Sequence, residues 1–124
     1  MRAEDALQQS VCDYLDNALP RTSWYTAIPN GAVLAGDKAA RGRQMNRLKR
    51  TGLKPGAPDL FVVHDGRFLA IELKAGAGKL SEAQERACDA IVGAGGGYTV
   101  ARSIDAVEAF LRAHDVPVAA RLAL

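Results

Sequence analysis

The stretch LKPGAPDLFVVHDGRFLAIELK, residues 53–74, decides the fold. Two apolar runs, DLFVVH (59–64) and RFLAIELK (67–74), are joined by Asp65-Gly66, the strongest short-range hairpin signal a sequence offers. Both runs are apolar on both faces, which predicts central strands covered by helices on each side. With Asp65 and Gly66 as the two loop residues, His64 faces Arg67 and the register sets Asp59 opposite Glu72. Directly opposed side chains have Cβ atoms about 4.5–5.5 Å apart and share a face. Lys74 lies two residues beyond Glu72, so alternation places it on that face as well. The preceding residues 53–58 form a loop rich in Gly and Pro.

Working outward, Ala3, Leu7, Val11, Tyr14, Leu15 and Ala18 recur at helical spacing, and Pro20 follows the end of that helix. WYTAI (24–28) reads as a short strand ended by Pro29-Asn30-Gly31. Asp37 is placed to cap a helix running to Arg50, with Gly52 near its end. Ser81-Glu82-Ala83-Gln84 is a capping box that opens a helix reaching about Ala94. Gly95-Gly96-Gly97 turns the chain into a strand at 98–101, and Ser103 caps a last helix with Ile104, Val107, Phe110 and Leu111 on one face. The order α-β-α-β-β-α-β-α predicts an α/β protein with a mixed central β-sheet flanked by helices. The tail from Pro117 through Leu124 is apolar. It fits a subunit interface and a lid on the chain's own core equally well.

At 124 residues the chain is expected to be one domain, spanning 1–124. Hydrophobic residues at 48% and charged residues at 24% exclude intrinsic disorder. No apolar run is long enough to span a membrane, and the acidic N-terminus does not read as a signal peptide. Cys12 and Cys88 fit no zinc or CxxC spacing and read as reduced thiols, implying a cytoplasmic protein. His64 and His114 read as surface residues without metal-ligand partners.

The net charge of +2 hides an asymmetry. Lys38, Arg41, Arg43, Arg47, Lys49, Arg50 and Lys54 fall in one segment without an acid, while acids outnumber bases elsewhere. A basic segment on an acidic body suits a polyanion such as DNA, although a solvated helix face has the same composition. The facing Asp59 and Glu72 repel each other unless a proton or cation lies between them. Mg²⁺ or Mn²⁺ is the cation such a pair suits, with Leu73 carbonyl as a candidate third ligand. A metal held there activates water and neutralises charge on a phosphodiester, and Lys74 can position that water or stabilise the transition state. A solvent-facing ion pair is the bland alternative for Glu72 and Lys74, but Ile71 and Leu73 mark a buried strand, where an unpaired charge is costly.

Pro58-Asp59, twelve residues, and Glu72-Leu73-Lys74 together resemble the PD-(D/E)xK nuclease superfamily. The segment LKPGAPDLFVV resembles the GxPD motif of its VRR-NUC branch, and the likeness extends over about residues 4–112. The resemblance implies a restriction-endonuclease-like core and adds residues to the site. Glu4 becomes a metal ligand or supporting acid, though it also suits a helix N-terminus. Gln84 becomes a catalytic residue, although its capping box alone accounts for it. Arg102 becomes a phosphate contact or an ordinary strand-end cation, and Asn30-Gly31 a turn near the cleft. The branch has Val-Arg-Arg where this chain reads Val100-Ala101-Arg102, so one of the two arginines is present.

Two classes of function follow. One is a Mg²⁺- or Mn²⁺-dependent DNA endonuclease, resembling the Holliday-junction resolvases, that cuts branched DNA as a homodimer in a bacterial or phage-infected cytoplasm. The other is a non-catalytic nucleic-acid-binding module with a structural acidic cluster. The facing carboxylates favour the first, because without a metal they repel phosphate.

Overall fold

The computed structural model describes residues 2–29 and 34–121. Within them the chain runs α1 (Ala3–Ala18), β1 (Ser23–Ala27), α2 (Lys38–Arg50), β2 (Leu60–His64), β3 (Arg67–Leu73), α3 (Glu82–Gly93), β4 (Gly97–Ala101) and α4 (Ile104–Ala113). This is the α/β order expected. The strands form one mixed sheet in the order β1-β2-β3-β4, antiparallel except for the β3–β4 pair. The turn residues Asp65 and Gly66 both have positive φ, at 51° and 76°. That is the type I′ geometry whose twist suits a two-residue hairpin. The pairing then runs from His64 opposite Arg67 to Leu60 opposite Ile71.

One face of the sheet carries Leu60, Val62, Leu69, Ile71, Leu73 and Ala101, all at most 1% exposed. Val11, Tyr14, Leu15 and Ala18 of α1 and Val107 and Leu111 of α4 close over them. The C-terminal segment seals the same core: Val116 and Val118 are buried in it, and Ala119 N–H donates to Ala18 O. The two valines of this segment are therefore spent inside the monomer, while Pro117, Ala119 and Ala120 stay exposed. Leu122–Leu124 lie outside the described residues, as do Asn30 and Gly31.

The second face differs from expectation. Among the described residues α3 packs on it, through a half-buried stripe of Ala83, Gln84, Ala87, Cys88 and Ile91, with α2 bordering only the Asp59–Glu72 end. One helix cannot span four strands, so Phe61, Val63 and Phe68 are only half-buried and Trp24 stays 62% exposed. The two histidines are more engaged than surface residues: His64 Nδ1 shares a hydrogen bond with Ser23, and His114 packs edge-on against Phe110 and bonds Arg67. Cys12 and Cys88 are both unpaired. Among the described residues no helix is long and apolar enough to cross a membrane.

A Cβ at Gly66 would meet nothing within 4 Å, so only its backbone conformation resists substitution. Gly66→Ala should lower stability by about 1 kcal/mol, the cost of a side chain at left-handed φ. Urea unfolding followed by circular dichroism measures it.

Candidate active site

The hairpin register continues one step past Leu60 and Ile71 and brings Asp59 level with Glu72. Here the main-chain ladder gives way to side chains. Leu73 lies level with Pro58, and its N–H donates to Asp59 Oδ2 at 2.8 Å. On the other side, Asp59 O accepts from Ile28 N–H at 2.8 Å. Backbone bonds on both flanks thus hold Asp59 at the end of a rigid strand, with its carboxylate turned toward Glu72.

Glu72 is 2% exposed, the one charged residue so buried among the described residues, on the sheet face opposite the core. Its Oε2 accepts from Gln84 Nε2 at 3.3 Å and lies 3.9 Å from Lys74 Nζ. Its Oε1 is fully buried and, among the described residues, has no hydrogen-bond donor. Burial first, and then the adjoining Asp59 carboxylate, push its pKa up to about 8; Lys74 pulls against them, while the weaker field of Glu4 adds to the rise. A carboxylate so placed is short of positive charge, and that shortage is the strongest physical statement the site makes.

Gln84 reaches Glu72 because of how its helix begins. Its Oε1 accepts from Ser81 N–H at 2.9 Å, and Ser81 Oγ accepts from Gln84 N–H, completing the capping box. With the oxygen committed to the cap, the amide nitrogen is left to face the carboxylate. The local account of Gln84 and the functional one are therefore the same geometry. Gly56, at φ 78°, fixes the position of this helix start, because a Cβ there would fall 2.3 Å from the Ala83 carbonyl group. The loop before Asp59 and the N-terminus of α3 are packed backbone to backbone.

A cleft of about 480 Å³ opens over these groups. Asp59, Glu72, Lys74 and Gln84 line it together with Glu4 and Arg2 from the start of α1, and Lys49, Leu53 and Lys54 from α2 and the following loop. Glu4 is exposed at the cleft wall. The basic segment divides between two surfaces. Lys49 and Lys54 face the cleft, whereas Arg43, Arg47 and Arg50 line a separate groove of about 410 Å³ on α2. Arg41 donates to Gly36 O, and Lys38 opens the helix after its Asp37 cap. Arg102 does not line the cleft. Its Nη1 and Nη2 donate to the carbonyls of Gly76 and Gly78 at 2.6 and 2.7 Å. The parallel pairing of β3 and β4 explains this, since the loop leaving β3 and the residue leaving β4 emerge side by side.

The site's residues suit a divalent cation. Among the described residues no three His, Cys, Asp or Glu side chains gather closely enough to hold one alone. The fit rests on Asp59, Glu72 with its donor-less Oε1, and main-chain oxygen such as that of Leu73, completed by water and substrate as Mg²⁺ ordinarily accepts.

The sequence pattern of the VRR-NUC domain matches residues 8–105. The chain belongs to the VRR-NUC domain family. It is thereby a member of a nuclease family. A solved structure titled VRR_NUC domain protein shares the fold at TM-score 0.67 and 21% identity, covering 91% of this chain and 88% of its own. No curated protein matches the chain. Glu4 lies before the matched VRR-NUC residues, so its place at the cleft rests on the geometry of α1 alone.

Two outcomes follow from the geometry. Ser81→Ala should cost about 1 kcal/mol of stability through the lost cap and, by releasing Gln84, lower nuclease turnover more than substrate affinity; kinetics beside thermal melts separate the two effects. Glu72→Gln should raise the melting temperature in EDTA near pH 7, because folding no longer has to protonate a carboxyl whose pKa rises to about 8. The same variant should lose any stabilisation that Mg²⁺ or Mn²⁺ gives the parent, which differential scanning calorimetry reads without an activity assay.

Proposed function

We propose that this VRR-NUC protein is a Mg²⁺- or Mn²⁺-dependent DNA endonuclease acting on structured DNA, with four-way junctions as its substrate and a homodimer as the acting form. The observation that carries the nuclease reading is Glu72, buried beside Asp59 with one oxygen that has no donor among the described residues, at the floor of a cleft walled by lysines. A protein that only bound phosphate would gain nothing from that pair, because two carboxylates repel the ligand.

In this reading Asp59 and Glu72, with the Leu73 carbonyl, hold the ion. The bound ion supplies Lewis acidity and an activated water for attack on phosphorus. Gln84 fixes one oxygen of Glu72 and so orients the carboxylate. Lys74, whose side chain is 12% exposed beside Glu72, presents its ammonium where charge builds on the phosphate. Lys49 and Lys54 draw the strand into the cleft without reading its sequence. The unpaired thiols of Cys12 and Cys88 suit a reducing compartment such as the cytoplasm. One chain offers one cleft, and two symmetric nicks in a four-way junction require two, which supports a C2 pair.

A fluorescent branched duplex should be cut when Mg²⁺ is added and left intact in EDTA. Asp59→Asn and Glu72→Ala should abolish cutting while retaining DNA binding. Lys74→Ala should slow turnover ~100-fold with little change in affinity. Wild-type cutting by either carboxylate variant would sink the metal assignment. For the junction reading, light scattering should give twice 13.1 kDa, with an immobile junction nicked on opposite strands. A monomer that prefers flaps would remove the junction and leave the nuclease.

A further inference from the structure

We propose that Trp24, Phe61 and Phe68 form a stacking platform for unpaired nucleobases next to the cleaved phosphodiester, so that the protein engages branched DNA through its single-stranded part. The inference rests on the nuclease reading above and not on its four-way junction, whose arms are fully paired: it adds substrates with unpaired bases beside the cut, such as a flap or a gap.

The platform shares its sheet face with the two carboxylates at the cleft floor. Along β2, Asp59, Phe61 and Val63 point to one face of the sheet, and the pairing sets Thr26 and Ala70 beside Phe61 and Trp24 and Phe68 beside Val63. Glu72 lies on this face too, two residues beyond Ala70. Rows on one face of a strand are about 7 Å apart, so Phe61 stands one step from the carboxylates and the Trp24–Phe68 row two steps. A strand whose phosphates are held by Lys49 and Lys54 can lay its neighbouring bases along this face.

The chemistry of the face suits that occupant. Phe61 stacks on Phe68 with ring centroids 4.8 Å apart at 28°, and Trp24 leans on Phe61 at 6.0 Å. Trp24 is one of two large apolar side chains that stay exposed among the described residues; the other is Val92 of α3, at 53%. The cluster meets solvent through Trp24, with Phe61 and Phe68 half-buried beside it, and an exposed tryptophan backed by two rings suits an interaction surface. The rows carry no charged side chain beyond Asp59 and Glu72, and the Thr26 hydroxyl is turned to the carbonyl of Ala27. Such a surface offers ring faces and no hydrogen-bond code, which is how single strands are held without regard to sequence. Paired bases keep their faces inside the duplex. Only unpaired ones can use the platform.

Trp24 is the chain's sole tryptophan, so its emission reports directly on the platform. The test titrates the full chain in EDTA with a short oligothymidylate and with a strand of equal length made of abasic sites, following Trp24 emission and strand anisotropy together. The thymidine strand should quench Trp24 and bind more tightly than the abasic strand, which should leave the emission unchanged. Trp24→Ala should weaken thymidine-strand binding by about 5- to 100-fold and close the gap between the strands; its exposure makes loss of folding a small risk, which circular dichroism checks. Binding by anisotropy with unaltered Trp24 emission would overturn the proposal even if the protein cuts DNA in Mg²⁺. So would Trp24 emission that shifts with protein concentration alone while Trp24→Ala turns a dimer into a monomer, since the face would then seat a second copy. Absence of metal-dependent cutting, with quenching intact, would overturn the nuclease reading instead.

Discussion

Two positive-φ residues at the tip of the hairpin set a register, and the register sets the chemistry. A slip of one residue between β2 and β3 would turn Leu69, Ile71 and Leu73 out of the core and carry Glu72 into it, among leucines. The buried face therefore enforces the alignment of Asp59 with Glu72 far more strongly than any contact between the carboxylates could. Those two groups oppose each other electrostatically and would separate if the strands let them. The core of α1, α4 and the sheet holds them together, and it does so from the opposite face.

Holding a carboxylate in that environment destabilises the free protein, and the surrounding residues reduce the cost only in part. Gln84 supplies one neutral donor and Lys74 one cation at the long end of ion-pair range, both to the same oxygen. The site is thus poised for positive charge and not saturated by its own side chains. Stability given up at one carboxylate is the usual companion of a functional centre. The capping box of α3 and the close backbone approach at Gly56 belong to the same arrangement. They hold the one neutral donor against Glu72.

Much of this was legible in the residues, because the decisive signals are local. Asp65-Gly66 specified the turn, alternation specified the faces, and Ser81 to Gln84 specified a helix start. The contact of Gln84 with Glu72 had no local signal, since it depends on where α3 crosses the sheet; only the family resemblance pointed to it. Arg102 shows the opposite case. The residues alone allowed an ordinary strand-end cation and the resemblance a phosphate contact, while the parallel β3–β4 pairing that brings two loop carbonyls within its reach had no local signal. The uncovered aromatic face was also hidden, because strand patterns report that both faces are apolar but not whether enough helices exist to cover them. Seven bases in one segment looked like one surface, yet helical geometry parts them into two.

Helix α2 carries Lys49 of the cleft wall, with Lys54 in the loop that follows, and buries no residue of its own. Its half-buried stripe is Ala40, Gln44, Met45 and Leu48, and its anchors are the Asp37 cap and a reciprocal pair of hydrogen bonds between Gln44 and Ala35. Local opening costs least where few apolar contacts must break. The chain therefore pairs a carboxylate floor whose opening requires unfolding the sheet with a basic wall whose opening breaks few apolar contacts. Bound polyanion would shift that second equilibrium toward the helix, slowing amide exchange in α2 while leaving β2 and β3 at the global rate.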